Sequence, residues 1–365
     1  MQLSHAFPAR SAVFDDPNLV SCAGLVPALG LAQRAGLRAL ADARLSVPGG
    51  AGHAAGLKVS ALVAGMVAGA DSIADMDLLR HGGMGRLFDG VRAPSTLGTF
   101  LRGFAFGHVR QLDAVASRFL TGLCAQTPLL PGVGQLCYVD VDDTVKATYG
   151  YAKQGTGYGY TGVKGLNAMI ATLSTPLAAP VIAATRLRKG SANSARGAAR
   201  LIADALATAG RAGAVGLVIL RADSAYYTHD VIAAAGRAGA RFSVTARKDR
   251  AVSSAIASIG ETGWTTICYP QAVFDEQLWQ WISDAEVAET PFTAFTSRRQ
   301  SEHVGGRLIV RRVRDANPAH LSPTPRVSCS RPGAITRCSP TPRCRCWPPR
   351  PITAATPSSN KSSPT

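Results

Sequence analysis

Three stretches within the first 130 residues repeat their apolar positions at helical spacing: "AGLVPALGLAQRAGLRALADARL" (23–45), "GHAAGLKVSALVAGMVAGADSIADMDLLR" (52–80) and "PSTLGTFLRGFAFGHVRQLDAVASRFLTGL" (94–123), the last opening on a Ser/Thr start signal. From Gln135 the pattern changes to short apolar runs separated by amphipathic segments. The runs predict strands at 136–142, 164–174, 180–187, 216–222 and 241–246, and the segments predict helices near 193–210 and 228–238. The stretch from Leu166 to Thr185 is long and fairly apolar, but Asn167, Ser174, Thr175, Pro176 and Pro180 interrupt it. Two strands joined by a Pro-marked turn account for it better than a membrane helix.

Three consecutive strands followed by helix, strand, helix and strand make an α/β fold: an RNase H-like mixed sheet with flanking helices, preceded by a mainly helical N-terminal region. The expected organisation is a helical region over 1–130 that could bind DNA or equally serve as a packing domain, a core over 135–318, and an aberrant tail over 319–365.

Two places in this frame carry chemistry. The first strand runs into acids, "LCYVDVDDTVKATYG" (136–150), with Asp140, Asp142 and Asp143 close together. Like charges so near each other raise one another's pKa or demand a cation, which makes the cluster a candidate metal or phosphate site. In "GRAGAVGLVILRADSAYY" (210–227), the apolar run Val218 to Leu220 leads into Asp223. Ligands collect beyond the carboxyl ends of strands in open α/β sheets, although an Asp there also serves as a helix cap.

The letters "DVDDT" fit two patterns. Asp-x-Asp-x-Thr resembles the haloacid dehalogenase-like phosphatases, with Asp140 as nucleophile and Asp142 as general acid. Asp-x-Thr, with Asp142 and Thr144, resembles the close of the first strand in DDE transposases, where carboxylates on separate elements hold two magnesium ions.

Composition adds a partner. Lys and Arg total 39 against 23 Asp and Glu, a formal charge of +16 that suits a polyanion or simple solubility. The start lacks a basic region followed by an apolar core, so no signal peptide is read and the expected location is cytoplasmic. Cys22, Cys124, Cys137 and Cys268 fall in apolar segments and read as buried reduced thiols.

The surroundings of the acids favour the second pattern. The Gly- and Tyr-rich "KQGTGYGYTGVKGL", the "RKGSANS" approach to a helix, the "RADS" strand and "ARFSVTARKD" together resemble insertion-sequence transposases of the DDE kind, most closely the insertion sequence thirteen-eighty family. The likeness extends to "SCAGLVPALGLAQRAGL" near the start and covers roughly residues 10–315.

That resemblance implies magnesium- or manganese-dependent cutting and joining of double-stranded DNA at terminal inverted repeats, by a homodimer in the synaptic complex and with no membrane role. It makes Asp142 the first catalytic acid, with Asp140 replacing or supporting it, and Asp223 the second, so that Asp142 and Asp223 hold the metal. Lys164, Arg186, Arg188, Lys189, Arg247 and Lys248 become candidate phosphate contacts, each of which could equally be a solvated charge. Tyr158 and Tyr160 could stack on bases, but core or turn packing is the preferred reading. Two alternatives stay open: the phosphatase using Asp140, and a DNA-binding remnant that does not cut.

A third acid, usually a Glu on a helix, is missing from the expected context. Residues 321–365 hold 10 of the 22 prolines, four of the eight cysteines and no Asp or Glu, a composition that builds no ordinary helix or core. The cysteines of "CSPTPRCRCWPP" lack paired zinc spacing. GC-rich codons for "RPITAATPSSNKSSPT", read from the last base of the Arg350 codon, give "ADHRRHAIVEQVIAD", which resembles the family's third-acid helix. The same offset over "RVSCSRPGAITRCSPT" can give the family-like "GELFASWRDYPVFTD". A frameshift between about Asp315 and Arg326 is therefore expected, with the missing Glu still encoded if the Ser359 codon ends in G. Without residues 321–365 the charge surplus falls to nine.

Overall fold

The computed structural model describes residues 16–150, 153–267, 274–275, 280–281, 285–313 and 334–336. The chain divides into two units, residues 1–242 and 243–365.

The first unit opens with α1 (Leu25–Arg34), α2 (Leu37–Arg44), α3 (Ala55–Val67), α4 (Pro94–Arg102) and α5 (Phe106–Gln126). The predicted helical stretch 23–45 breaks at Gly36, whose φ of +87° favours glycine. Leu37, Ala41, Val59, Leu62, Leu97, Phe100 and Val115 form the core of this region. A Cβ on Gly56 would lie 2.3 Å from the Arg38 carbonyl oxygen, so α2 and α3 meet backbone to backbone.

The sheet follows: β1 (Leu136–Ala147), β2 (Gly157–Tyr158), β3 (Lys164–Thr175), β4 (Ala178–Lys189), α6 (Ala198–Arg211), β5 (Leu217–Ala222), α7 (His229–Arg237) and β6 (Arg241–Thr245). The strand order is β4, β3, β1, β5, β6, with β2 paired to the start of β3. β3 is antiparallel to both β1 and β4, whereas β5 is parallel to β1. Pro180 costs no ladder bond to a further strand, because β4 pairs with β3 alone. Leu201, Ile202, Ala205 and Ala209 put one apolar face of α6 into the core, at the spacing its sequence shows.

Each expected strand and helix of this region is present, with two informative shifts. β1 runs five residues beyond its predicted end, because its pairing with β3 continues to Ala147 and Gly165. α6 begins at Ala198 instead of 193, since Gly197 ahead of it takes a left-handed φ of 78°.

Helices α1 to α5 and strands β1 to β5 fall within the first of the two units. The α5 side chains tie the helical region to β4 and α6: Thr185 donates to Asp113 at 2.6 Å, Arg110 donates to Asp204 at 3.4 Å, and Ser117 and Thr208 share a 2.8 Å hydrogen bond. Helices and sheet therefore form one compact unit.

The second unit contains α8 (Arg250–Ala257), whose first turn is capped by Asp249, then β7 (Thr265–Ile267), β8 (Phe274–Asp275), β9 (Gln280–Trp281), β10 (Ala285–Ala294), β11 (Val304–Val313) and β12 (Ala334–Thr336). β7, β10, β11 and β12 are joined antiparallel in that order, and β8 pairs with β9. β12 lies in the tail expected to be irregular; its β-branched Ile335 and Thr336 suit a strand, and the rest of that tail is outside the described residues.

No helix among the described residues is long and apolar enough to cross a membrane. Cys137 is buried, Cys22 and Cys124 are half-buried, and all three are free; Cys268 lies outside the described residues.

Candidate active site

Side chains alternate across a strand, so neighbouring acids of β1 part company. Asp140 and Asp142 share one face with Tyr138, Thr144 and Lys146, and Asp143 points to the other with the buried Val139 and Val141. The three carboxylates that look alike in the sequence have three different fates.

Asp143 is locked inside. Its Oδ2 accepts from Arg188 Nη2 at 2.7 Å and Asn167 Nδ2 at 2.8 Å, and its Oδ1 accepts from the Ser194 hydroxyl at 3.2 Å. Arg188 also donates to the carbonyls of Asn193, Ser194 and Arg196, pinning the turn that leads into α6. Its side chain is only 8% exposed, and burial pulls its pKa down against the pull of Asp143. Arg188 has no N–H left for a phosphate and is withdrawn from the candidate contacts. Arg186, on the same face, is spent on Asp204 at 2.8 Å.

Asp140 is held differently. Both its oxygens accept from Arg221, Nε to Oδ1 at 2.5 Å and Nη2 to Oδ2 at 2.6 Å, because the parallel register sets Asp140 opposite Arg221. This hydrogen bonding raises the Arg221 pKa. A carboxylate engaged at both oxygens is a poor nucleophile, which counts against the phosphatase reading of Asp140.

Asp142 and Asp223 are exposed and have no ion pair among the described residues. The register Val141 to Ala222 makes them the next neighbours along the β1 and β5 pair, on the same face. β5 ends at Ala222, so Asp223 starts the turn beyond it, where its Oδ1 accepts from the Ala225 amide at 2.9 Å. Asp223 thus caps a short 3-10 turn, Ser224–Tyr226, and still presents its other oxygen.

Tyr226 closes that turn. It is fully buried, and its hydroxyl finds no hydrogen-bond partner among the described residues. Burial, with Asp143, Asp142 and Asp223 nearby, pushes its pKa up, so the phenol stays protonated. An unpaired buried hydroxyl beside carboxylates marks a place for a water or an ion's hydration shell. Hard oxygens from one or two carboxylates, completed by water and phosphate, suit magnesium or manganese. Asp142 and Asp223 fit such an ion as a pair, while no group of three metal-binding side chains gathers among the described residues.

Basic residues sort by face as well. Lys146 stands across from Leu166, and Leu166 across from Lys189, making one row on the Asp142 face, with Lys164 two residues farther along β3. Lys146 and Lys189 are exposed and Lys164 is half-buried. Arg247 and Lys248, in the second unit, are exposed ahead of α8. Tyr158 and Tyr160 are 67% and 106% exposed, which overturns the packing expected of them. Sequence reasoning missed Lys146, Arg221 and Tyr226; alternation from Asp142 reaches Lys146, but the other two needed the strand pairing.

All five Glu of the chain fall between 261 and 302. Glu261 and Glu286 bind Arg312, Glu289 binds Arg307 and Glu302 binds Arg298, and these four stand on strands or 3-10 turns. Glu276 is outside the described residues.

Three antiparallel strands and a further strand parallel to the first make the mixed sheet of an RNase H-like fold. The chain belongs to the family described as transposase DDE domain group 1, which matches residues 10–322. No curated protein matches the chain. The family makes this a transposase domain, and DNA the polyanion that its charge anticipates.

Proposed function

We propose that the chain derives from a transposase of the insertion sequence thirteen-eighty family that acts in the cytoplasm on terminal inverted repeats, as a homodimer when two ends are held together. The carrying observation is that Asp142 on β1 and Asp223 just past the end of β5 follow the paired Val141 and Ala222, are exposed, and have no basic partner among the described residues. They would hold magnesium or manganese, which would supply Lewis-acid activation of the attacking water or 3′ hydroxyl and charge stabilisation at the leaving oxygen. Lys146, Lys164 and Lys189 would take phosphates along the same face, and the Tyr226 hydroxyl would be a donor beside the acids.

The third carboxylate is the part this polypeptide lacks. The family match ends at residue 322, close to where acids vanish and prolines crowd, and the described Glu residues are held by arginines. A frameshift between about Asp315 and Arg326 accounts for both, leaving a chain that binds DNA ends and metal but does not cut. Incubating the full chain with inverted-repeat DNA and magnesium or manganese should give end binding without strand cleavage. Robust cleavage would refute the inactive assignment, and a gene in which the shifted frame lacks the Glu would refute the frameshift.

A further inference from the structure

Arg221 is fixed more firmly than its exposure explains. Its Nε and Nη2 are both spent on Asp140, and its guanidinium carbon lies 4.1 Å from the centre of the Tyr138 ring. The ion pair is 42% and 34% exposed, a setting in which such pairs add little to stability. What the arrangement does produce is a guanidinium held on two sides, with its Nη1 edge free of partners among the described residues. A planar fork presented this way suits a phosphate oxygen far better than a mobile side chain does.

Its location adds the reason. Asp140 and Arg221 face each other one step before Val141 and Ala222, so the guanidinium stands on the face of Asp142 and Asp223, about 7 Å back along the strands. Three carboxylates on one face repel a phosphate. Arg221 cancels one of them, and its side chain is 42% exposed on the face that a DNA strand lying on the metal pair would cross.

We infer that Arg221 is a phosphate-contacting residue of the DNA site, and that Asp140 and Tyr138 are the groups that position it. This rests on Asp142 and Asp223 being the metal pair. Asp140 is then a holder of the arginine, and the acid nearest the "DVDDT" start binds no metal.

The test uses the full chain, a mixed-sequence duplex of about 20 base pairs, and calcium to support binding without cleavage. Arg221→Ala should weaken duplex binding about fivefold and lower the slope of log affinity against log salt by about one. Arg221→Lys should also weaken it, because the fork is lost although the charge remains. Asp140→Asn gives the decisive sign: removing a negative charge next to DNA should tighten binding if Asp140 acts only through its charge, and loosen it if Asp140 positions Arg221. The double variant should bind no worse than Arg221→Ala.

Tighter binding by Asp140→Asn, or an unchanged salt slope in Arg221→Ala, overturns the inference. Manganese binding followed by electron paramagnetic resonance separates the two readings. Asp142→Asn and Asp223→Asn should each weaken it at least about tenfold, and Asp140→Asn and Arg221→Ala should leave it within about twofold. Wild-type manganese affinity in Asp142→Asn and Asp223→Asn would sink the metal pair itself, whatever Arg221 does.

Discussion

Asp142 and Asp143 are consecutive and chemically identical, yet they should respond oppositely to the same change. Asp143→Asn strands the buried Arg188 beside a neutral amide, and removing one partner of a buried pair costs about 3 kcal/mol. Thermal unfolding of that variant should shift well below wild type. Asp142→Asn relieves repulsion with Asp223 and breaks no ion pair, so its stability should stay within about 0.5 kcal/mol of wild type while metal binding is lost. Tyr226 extends the contrast, since Tyr226→Phe removes a buried hydroxyl that has no partner. In metal-free protein it should be neutral or stabilising by up to about 1 kcal/mol, measured by denaturant unfolding. A loss of several kcal/mol would mean that the hydroxyl has a protein partner after all.

On the scale of elements, β4 shows how one strand divides neighbouring charges between fold and function. Arg188 turns inward to Asp143, and Lys189 turns outward into the row with Lys146. Lys189→Ala should therefore weaken duplex binding and lower the salt slope without moving the melting temperature, whereas Arg188→Ala should lower the melting temperature first. The glycine just after β4 sets the position of the tyrosine-bearing segment. A Cβ on Gly190 would come within 2.0 Å of the Gly165 oxygen and 2.3 Å of the Gly157 oxygen, so Gly190→Ala must push β2 away from β3. Its expected cost is about 2 kcal/mol or more, read by thermal melting, with increased hydrogen exchange at Tyr158 and Lys164.

For the whole molecule, the α5 bonds to β4 and α6 make the helical region part of the unit that holds the acids. The helices and the strands that lead to Asp142 and Asp223 therefore belong to a single body. The second unit supplies strands and four arginine-bound Glu residues, none of them on an α-helix. On the proposed frameshift, restoring the reading frame near residue 320 should add the third acid and give a chain that nicks inverted-repeat DNA with magnesium; no nicking by the restored, folded chain would count against the proposal. The restored chain also loses the surplus positive charge of the tail, so its non-specific DNA binding should be weaker and that of the present chain stronger than the first unit alone explains.

The sequence by itself determined the elements and their order. Periods of 3.6 and 2 are local properties, set by which face of each segment must leave water, and the α6 face and the β3 and β4 pair sit where those periods put them. Alternation alone also separates Asp142 from Asp143. Only the tertiary structure decided which acid is free, because that depends on partners far along the chain: Arg221 is 81 residues from Asp140, and Arg188 is 45 from Asp143. Strand register is fixed by the packing of the whole core, and a shift of one residue would bring a different side chain opposite each acid. Sequence could place three negative charges together, but the folded sheet assigned one to the interior, one to an arginine and one to the exposed face.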